Sequence, residues 1–225
     1  MGPLLNAHRL FFDDQDKIVD TIEVWYNNWG TLYILAGIFY LPVIFLLKYL
    51  LRNAPPLHFI RYWVIIHNIA FCIFSTIATI ELSSVVFGSI SVSNWNFHHT
   101  VCDGWFLDYP ESHWLHLFAL SKLIELLESV YLILEKKPLN FLHWYHHFVT
   151  YTFTIYSLIL NNPCSLYYSY MNLVVHAVMY FYYSIAKITS RRLSWGIVVT
   201  VLQIVQMFIG VFITIEQFYC EPPIK

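Results

Sequence analysis

The sequence predicts an all-α, polytopic membrane helix bundle, a single integral membrane domain over residues 1–225. Three observations carry that prediction. Hydrophobic side chains make up 58% of the chain and charged ones only 12%, against roughly 25% charged in a water-soluble globule, so too few charges remain to wet a surface. The mean hydropathy is +0.57 over the whole length. Six apolar stretches are each long enough to cross a hydrocarbon core of roughly 30 Å as a helix. This balance excludes a disordered chain, a disulfide-dense secreted scaffold and an ordinary cytosolic enzyme. A net charge of -2 leaves no basic field for nucleic acid.

Residues 1–30 hold Asp13, Asp14, Asp16, Asp20 and Glu23 against Arg9 and Lys17. A cleavable signal would instead place a basic patch directly before an apolar run, so this segment is expected to stay in the protein. The spans are expected at 31–51, 58–83, 113–134, 139–160, 164–186 and 193–215, with a tail at 216–225. Runs such as Ile65 to Thr79 and Ile197 to Ile215 do not alternate as barrel strands would. Lysine and arginine set the orientation. Lys48, Arg52 and Arg61, then Lys136 and Lys137, then Lys187, Arg191 and Arg192 fall in alternate connections, while 84–112 and 161–163 contain neither residue type. The positive-inside rule makes the first set cytosolic and puts the other loops and both ends, 1–30 and 216–225, in the lumen. Cys102, Cys164 and Cys220 then lie on the lumenal side and Cys72 within the second span. An oxidising lumen permits a Cys102–Cys220 bridge, and spacing leaves free thiols equally open.

Ionisable groups inside hydrocarbon cost several kcal/mol unless they meet a partner or a wet cavity, which makes each one a candidate for function. At ~1.5 Å per residue from the cytosolic helix ends, His143, His146 and His147 lie roughly 5 to 12 Å deep. Glu128, Glu125 and Lys122 follow at roughly 10 to 20 Å, as do Thr200, Gln203 and Gln206, with Asn172 and His176 at roughly 16 to 22 Å. Four helices thus place polar groups in one slab. His143, His146 and His147 follow i, i+3, i+4, as Lys122, Glu125 and Glu128 nearly do, so each helix offers a polar stripe to a shared cavity open to the cytosol. Plainer readings stand beside this one. Gln203 and Gln206 can serve as packing glue between helices. Lys122 and Glu125 can neutralise one another at i, i+3. A lone histidine such as His67 is by itself an interhelical hydrogen bond.

An HxxHH box first suggests a metal, because di-iron membrane desaturases and hydroxylases use such boxes. Those need about eight histidines on one side of the membrane. The orientation sets His98, His99, His113 and His116 on the other face, so no metal is expected, although Glu125 and Glu128 could serve as ligands and a di-iron desaturase or hydroxylase stands as the alternative. The other reading is nucleophilic: a neutral imidazole attacks a thioester to give an acyl-imidazole, while neighbouring imidazoles and carboxylates hold tautomers and move protons. A transporter would show an inverted repeat and broken helices, and neither is evident.

The stretch 121–147, SKLIELLESVYLILEKKPLNFLHWYHH, resembles the third and fourth spans of the very-long-chain fatty acid elongases, the ELO family, with their KxxExxDT-type and HxxHH motifs. MNLVVHAVMYFYY at 171–183, which includes Tyr180, is similar to that family's NxxxHxxMYxYY motif, TVLQIVQ at 200–206 to its TxxQxxQ motif, and NFHHTVCDGWF to its lumenal loop. Four motifs in order cover most of residues 95–206.

The resemblance implies a 3-oxoacyl-CoA synthase of the endoplasmic reticulum membrane. It would condense a long-chain acyl-CoA with malonyl-CoA to 3-oxoacyl-CoA, CoA and CO2, with no cofactor. The acyl tail would lie in a closed tunnel and the CoA head in the cytosol. On this reading His146 takes the acyl group, with His147 its rival, while His143, His147 and His176 handle protons and oxyanion charge. Asn172 and Gln203 orient substrate, and Lys122, Glu125, Glu128, Tyr180 and Gln206 complete the binding set. A homodimer, and contacts with the reductase and dehydratase of the elongation cycle, are implied likewise. The HWYHH form of the box, with Trp144, is similar to the branch acting on saturated and monounsaturated chains. Three departures stand out. Glu128-Ser129 replaces Asp-Thr, NNPCS at 161–165 replaces a Gly-rich turn, and the chain reaches Lys225 where the seventh helix of that family would begin.

Overall fold

The computed structural model describes residues 15–102, 113–159 and 162–220. The N-terminal stretch before Gln15, the part of the long loop at 103–112, residues 160–161 and the tail from 221 lie outside the described residues. Every described element is an α-helix: α1 Gln15–Leu50, α2 Ile60–Val92, α3 Phe97–Cys102, α4 His113–Glu125, α5 Leu127–Leu134, α6 Phe141–Ile159, α7 Ser165–Thr189 and α8 Gly196–Phe218. Gly30–Leu50, Ile60–Ser91 and Gly196–Phe218 are long and apolar enough to cross a membrane by length and composition. The stretches expected to supply the other crossings, α4 with α5, α6 and α7, carry the polar residues of the slab.

Three boundaries differ from expectation. α1 starts at Gln15 rather than near Thr31, so the helix of the first expected span takes in residues 15–30 as well. α2 runs on through SSVVFGSISV to Val92, a 33-residue helix about 50 Å long at the usual rise. The third span is interrupted at Leu126, where the chain keeps helical torsions but the amide of Ser129 reaches only the Leu126 carbonyl, 3.3 Å away. That tightened turn divides α4 from α5, and one of the features set aside for want of broken helices is therefore present locally.

The bundle shows an inside-out surface. Ile197 and Phe208 of α8 are 66% and 71% exposed, an apolar face that water would not tolerate and lipid accepts. Buried contacts form three clusters. Leu82, Val85, Trp114, Phe118, Leu166 and Leu173 join α2, α4 and α7. Tyr40, Ile44, Ile133, Tyr151 and Ile155 hold α1 against α5 and α6. Phe71, Met179, Tyr182 and Val199 tie α2, α7 and α8 together. α2 and α7 share the most extensive packing of any pair. At Gly196 a Cβ would stand 2.6 Å from the Tyr182 hydroxyl, so any larger residue there would have to displace the Tyr182 ring where α8 begins against α7.

The connections rich in lysine and arginine gather at one end. Arg61 donates to the carbonyls of Lys187 and Ile188 at 2.9 and 3.1 Å, placing a cation on the negative end of α7. Glu135 pairs with Lys137 at 2.7 Å and with Lys187. Burial works to raise the Glu135 carboxyl, but the two ammonium groups prevail and hold it below the usual carboxylate range.

At the opposite end Cys102 and Cys220 are joined as a disulfide across 118 residues, fastening α3 to the end of α8. Cys164 is buried as a free thiol against the Val101 carbonyl. His98 reaches Glu216 over the same junction at 3.4 Å. Closing so long a loop removes much freedom from the unfolded chain, so Cys102→Ser should lower stability by about 2–4 kcal/mol. The check is the unfolding midpoint with and without reductant: wild-type protein in reductant should fall to the midpoint of the variant, which reductant should not move.

Candidate active site

α4, α5, α6 and α7 converge their polar residues, but into separate groups rather than one. The first lies between α4 and α7. Lys122, 3% exposed, donates to both oxygens of Glu125 at 2.8 and 2.9 Å and to Asn172 Oδ1 at 2.6 Å. The Asn172 amide nitrogen lies 3.3 Å from His176 Nε2, and His176 Nδ1 lies 3.5 Å from Glu125 Oε1. The four side chains close a ring in which a buried cation and a buried anion are each matched, the condition under which such charges are tolerable away from water. The i, i+3 neutralisation of Lys122 by Glu125 is real, and the pair is also fastened to α7.

The second group centres on Glu128. Tyr180 donates its hydroxyl to Glu128 Oε1 at 2.5 Å, and His67 Nε2 lies 3.3 Å from the same oxygen. His147 Nε2 lies 3.4 Å from Oε2. Beside it, Ser129 binds His143 Nε2 at 3.1 Å and the Tyr40 hydroxyl at 2.6 Å. The rings of His143 and His147 are 4.4 Å apart.

His146 faces elsewhere. Successive residues turn by ~100° around a helix, so His143 and His147 point within ~40° of each other while His146 lies to one side. The three imidazoles therefore do not open onto one shared chamber, contrary to the single-stripe expectation. His146 is half-buried on the wall of a cavity of about 330 Å³ between α4, α6, α7 and α8. Lys122, Asn172 and Gln206 line the same cavity. From His146 the wall continues along α6 through Thr150 and Phe153 to Ser157, eleven residues or ~16 Å further on the same helix face. His116 of α4, expected toward the opposite face, also lines it. Gln203 does not reach the cavity group. Its amide donates to Met179 Sδ at 3.3 Å, the packing role open to it from the start, whereas Gln206 three residues on lines the wall.

Two participants escaped the sequence reading. His67 looked solitary because its partner Glu128 lies 61 residues away, and Tyr40, whose partner Ser129 lies 89 residues away, gave no local signal at all. Among the described residues, no three histidine, cysteine, aspartate or glutamate side chains stand in reach of a common metal ion.

A family model described as the GNS1/SUR4 (ELO) family matches residues 25–222. The chain belongs to the ELO family. It is 35% identical over 180 residues to "Long chain fatty acid elongase 1" of Caenorhabditis elegans, covering 78% of this chain and 60% of that protein. It is 31% identical over 162 residues to "Fatty acid elongase 1" of Trypanosoma brucei brucei, covering 69% and 52%. The chain thus spans less than two thirds of the length of these curated relatives. ELO membership makes it a polytopic membrane protein.

Proposed function

We propose that this chain is the condensing enzyme of fatty-acid elongation, joining a long-chain acyl-CoA to malonyl-CoA to give 3-oxoacyl-CoA, CoA and CO2 in the endoplasmic reticulum membrane. The observation that carries the reading is His146 on the wall of a long, mainly apolar cavity, beside a buried lysine and an amide. Such a cavity suits an acyl tail, and the imidazole at one end suits its thioester.

In the mechanism we propose, a ring nitrogen of neutral His146 attacks the thioester carbonyl. The C–S bond breaks, and the proton lost from the imidazole neutralises the departing CoA thiolate. Malonyl-CoA then loses CO2, and its enolate carbon attacks the acyl-imidazole. The C–N bond breaks, and the departing imidazolate takes up one proton from solvent, the proton that the overall reaction consumes. Lys122, the cation on the cavity wall, would meet negative charge developing at the acyl carbonyl, and the Glu125–His176–Asn172 ring holds it in place. His143, His147 and His176 handle protons, Tyr180 steadies Glu128, and Gln206 rather than Gln203 contacts substrate. No cofactor takes part. Six crossings, a preference for saturated and monounsaturated chains, a homodimer, and contacts with the reductase and dehydratase that act next on the product belong to the same proposal.

The test is expression in microsomes with labelled malonyl-CoA and a panel of acyl-CoAs. The expected product is a 3-oxoacyl chain two carbons longer than the substrate. Label that stays in malonyl-CoA with every acyl-CoA offered overturns the reading.

A further inference from the structure

We propose that His67 is a positioning residue: together with Tyr180 it holds one oxygen of Glu128 so that the other is set against Nε2–H of His147 and fixes the tautomer of that imidazole. The role in turnover rests on the elongase reading above, while the geometric part does not.

Two hydrogen-bond donors and a further imidazole, from three helices, meet one carboxylate. Tyr180 of α7 and His67 of α2 both address Oε1, and His147 of α6 stands at Oε2. An ionised carboxylate only accepts, so His67 donates from Nε2–H, and His147, with Nε2 3.4 Å from Oε2, is placed to do the same. A neutral His147 in that form keeps its lone pair on Nδ1, ready to take up a proton. The ring of His147 lies 5.8 Å from that of His146, so the choice of tautomer is made next to the proposed nucleophile.

His67 is built to hold still. It is buried, stacked on Phe71 with ring centroids 4.4 Å apart, and meets the edge of Tyr131 at 5.3 Å. α2 and α7, which carry the two donors, form the most extensive helix pair in the bundle. None of His67, Glu128, His147 and Tyr180 lines the cavity that His146 faces. His67 therefore acts through Glu128 and His147 rather than on substrate. Without it Glu128 keeps only Tyr180 on Oε1, and one donor rather than two holds the plane of the carboxylate against His147.

The test uses the full chain in lipid nanodiscs with two variants. His67→Phe keeps the stacked ring without a donor, and His67→Gln restores a donor. Nitrogen-15 spectra of labelled histidine, assigned with His147→Gln, read the tautomer of His147. Wild type and His67→Gln should show Nε2–H alone, and His67→Phe a mixture. In elongation assays His67→Phe should lose about tenfold in kcat with KM for acyl-CoA within about twofold, and His67→Gln should regain most of the loss. A single Nε2–H tautomer in His67→Phe overturns the proposal, as does unchanged kcat, or a loss that His67→Gln fails to recover. If wild-type protein does not elongate, the elongase reading falls while the spectra still decide the role of His67.

Discussion

Replacing His146 with alanine should reduce elongation by about a thousandfold or more, the scale on which removing a covalent nucleophile acts. The substitution leaves both charge networks intact. His146 is half-buried on a cavity wall, and among the described residues no side chain hydrogen-bonds its imidazole, so the variant should fold and bind acyl-CoA. The measurement is turnover of labelled malonyl-CoA beside the unfolding midpoint of the same preparation. His143→Ala and His147→Ala should be milder, because those imidazoles face Ser129 and Glu128 rather than the cavity. A His146→Ala enzyme with most of its activity would shift the nucleophile elsewhere, His147 being the nearest imidazole on α6.

The largest expected effect on stability is at Lys122. Its ammonium group is the partner of both Glu125 oxygens and of Asn172, and Lys122 and Glu125 are each 3% exposed. Lys122→Met leaves a carboxylate inside the bundle with only His176 at 3.5 Å to answer it. Breaking a buried pair from one side costs about 3–5 kcal/mol, mostly from stranding the remaining charge. The double variant Lys122→Met/Glu125→Gln removes both charges and should recover a large part of that loss. Unfolding midpoints of the two variants in one detergent check this. Equal destabilisation in both would mean that shape, not charge, is what the site requires of Lys122.

The helices and their polar residues were legible from the chain because apolar length and i, i+3, i+4 spacing are local properties. Lys122 with Glu125, and Asn172 with His176, sit on the shared faces that their spacing predicted. What was not legible depends on how helices turn toward each other. Spacing put His146 on one stripe with His143 and His147, but a stripe ~100° wide straddles two walls once α6 is packed, and only His146 meets the cavity. Gln203 and Gln206 form the same kind of pair on α8, yet only Gln206 reaches the cavity, while Gln203 is taken up by Met179. The ends of α1 and α2 ran past the expected spans because helices continue through residues too polar for a hydropathy window. His67 and Tyr40 were invisible as partners because the residues they touch come from distant turns of the chain.

The central claim is that His146 carries the acyl chain. Purified protein incubated with an acyl-CoA in the absence of malonyl-CoA, digested rapidly and read by mass spectrometry, tests it most directly. The expected result is one acyl group on the α6 peptide at His146, discharged when malonyl-CoA is added and missing from His146→Ala. An acyl group on Cys72 or Cys164, or elongation by protein that never carries one, would contradict it.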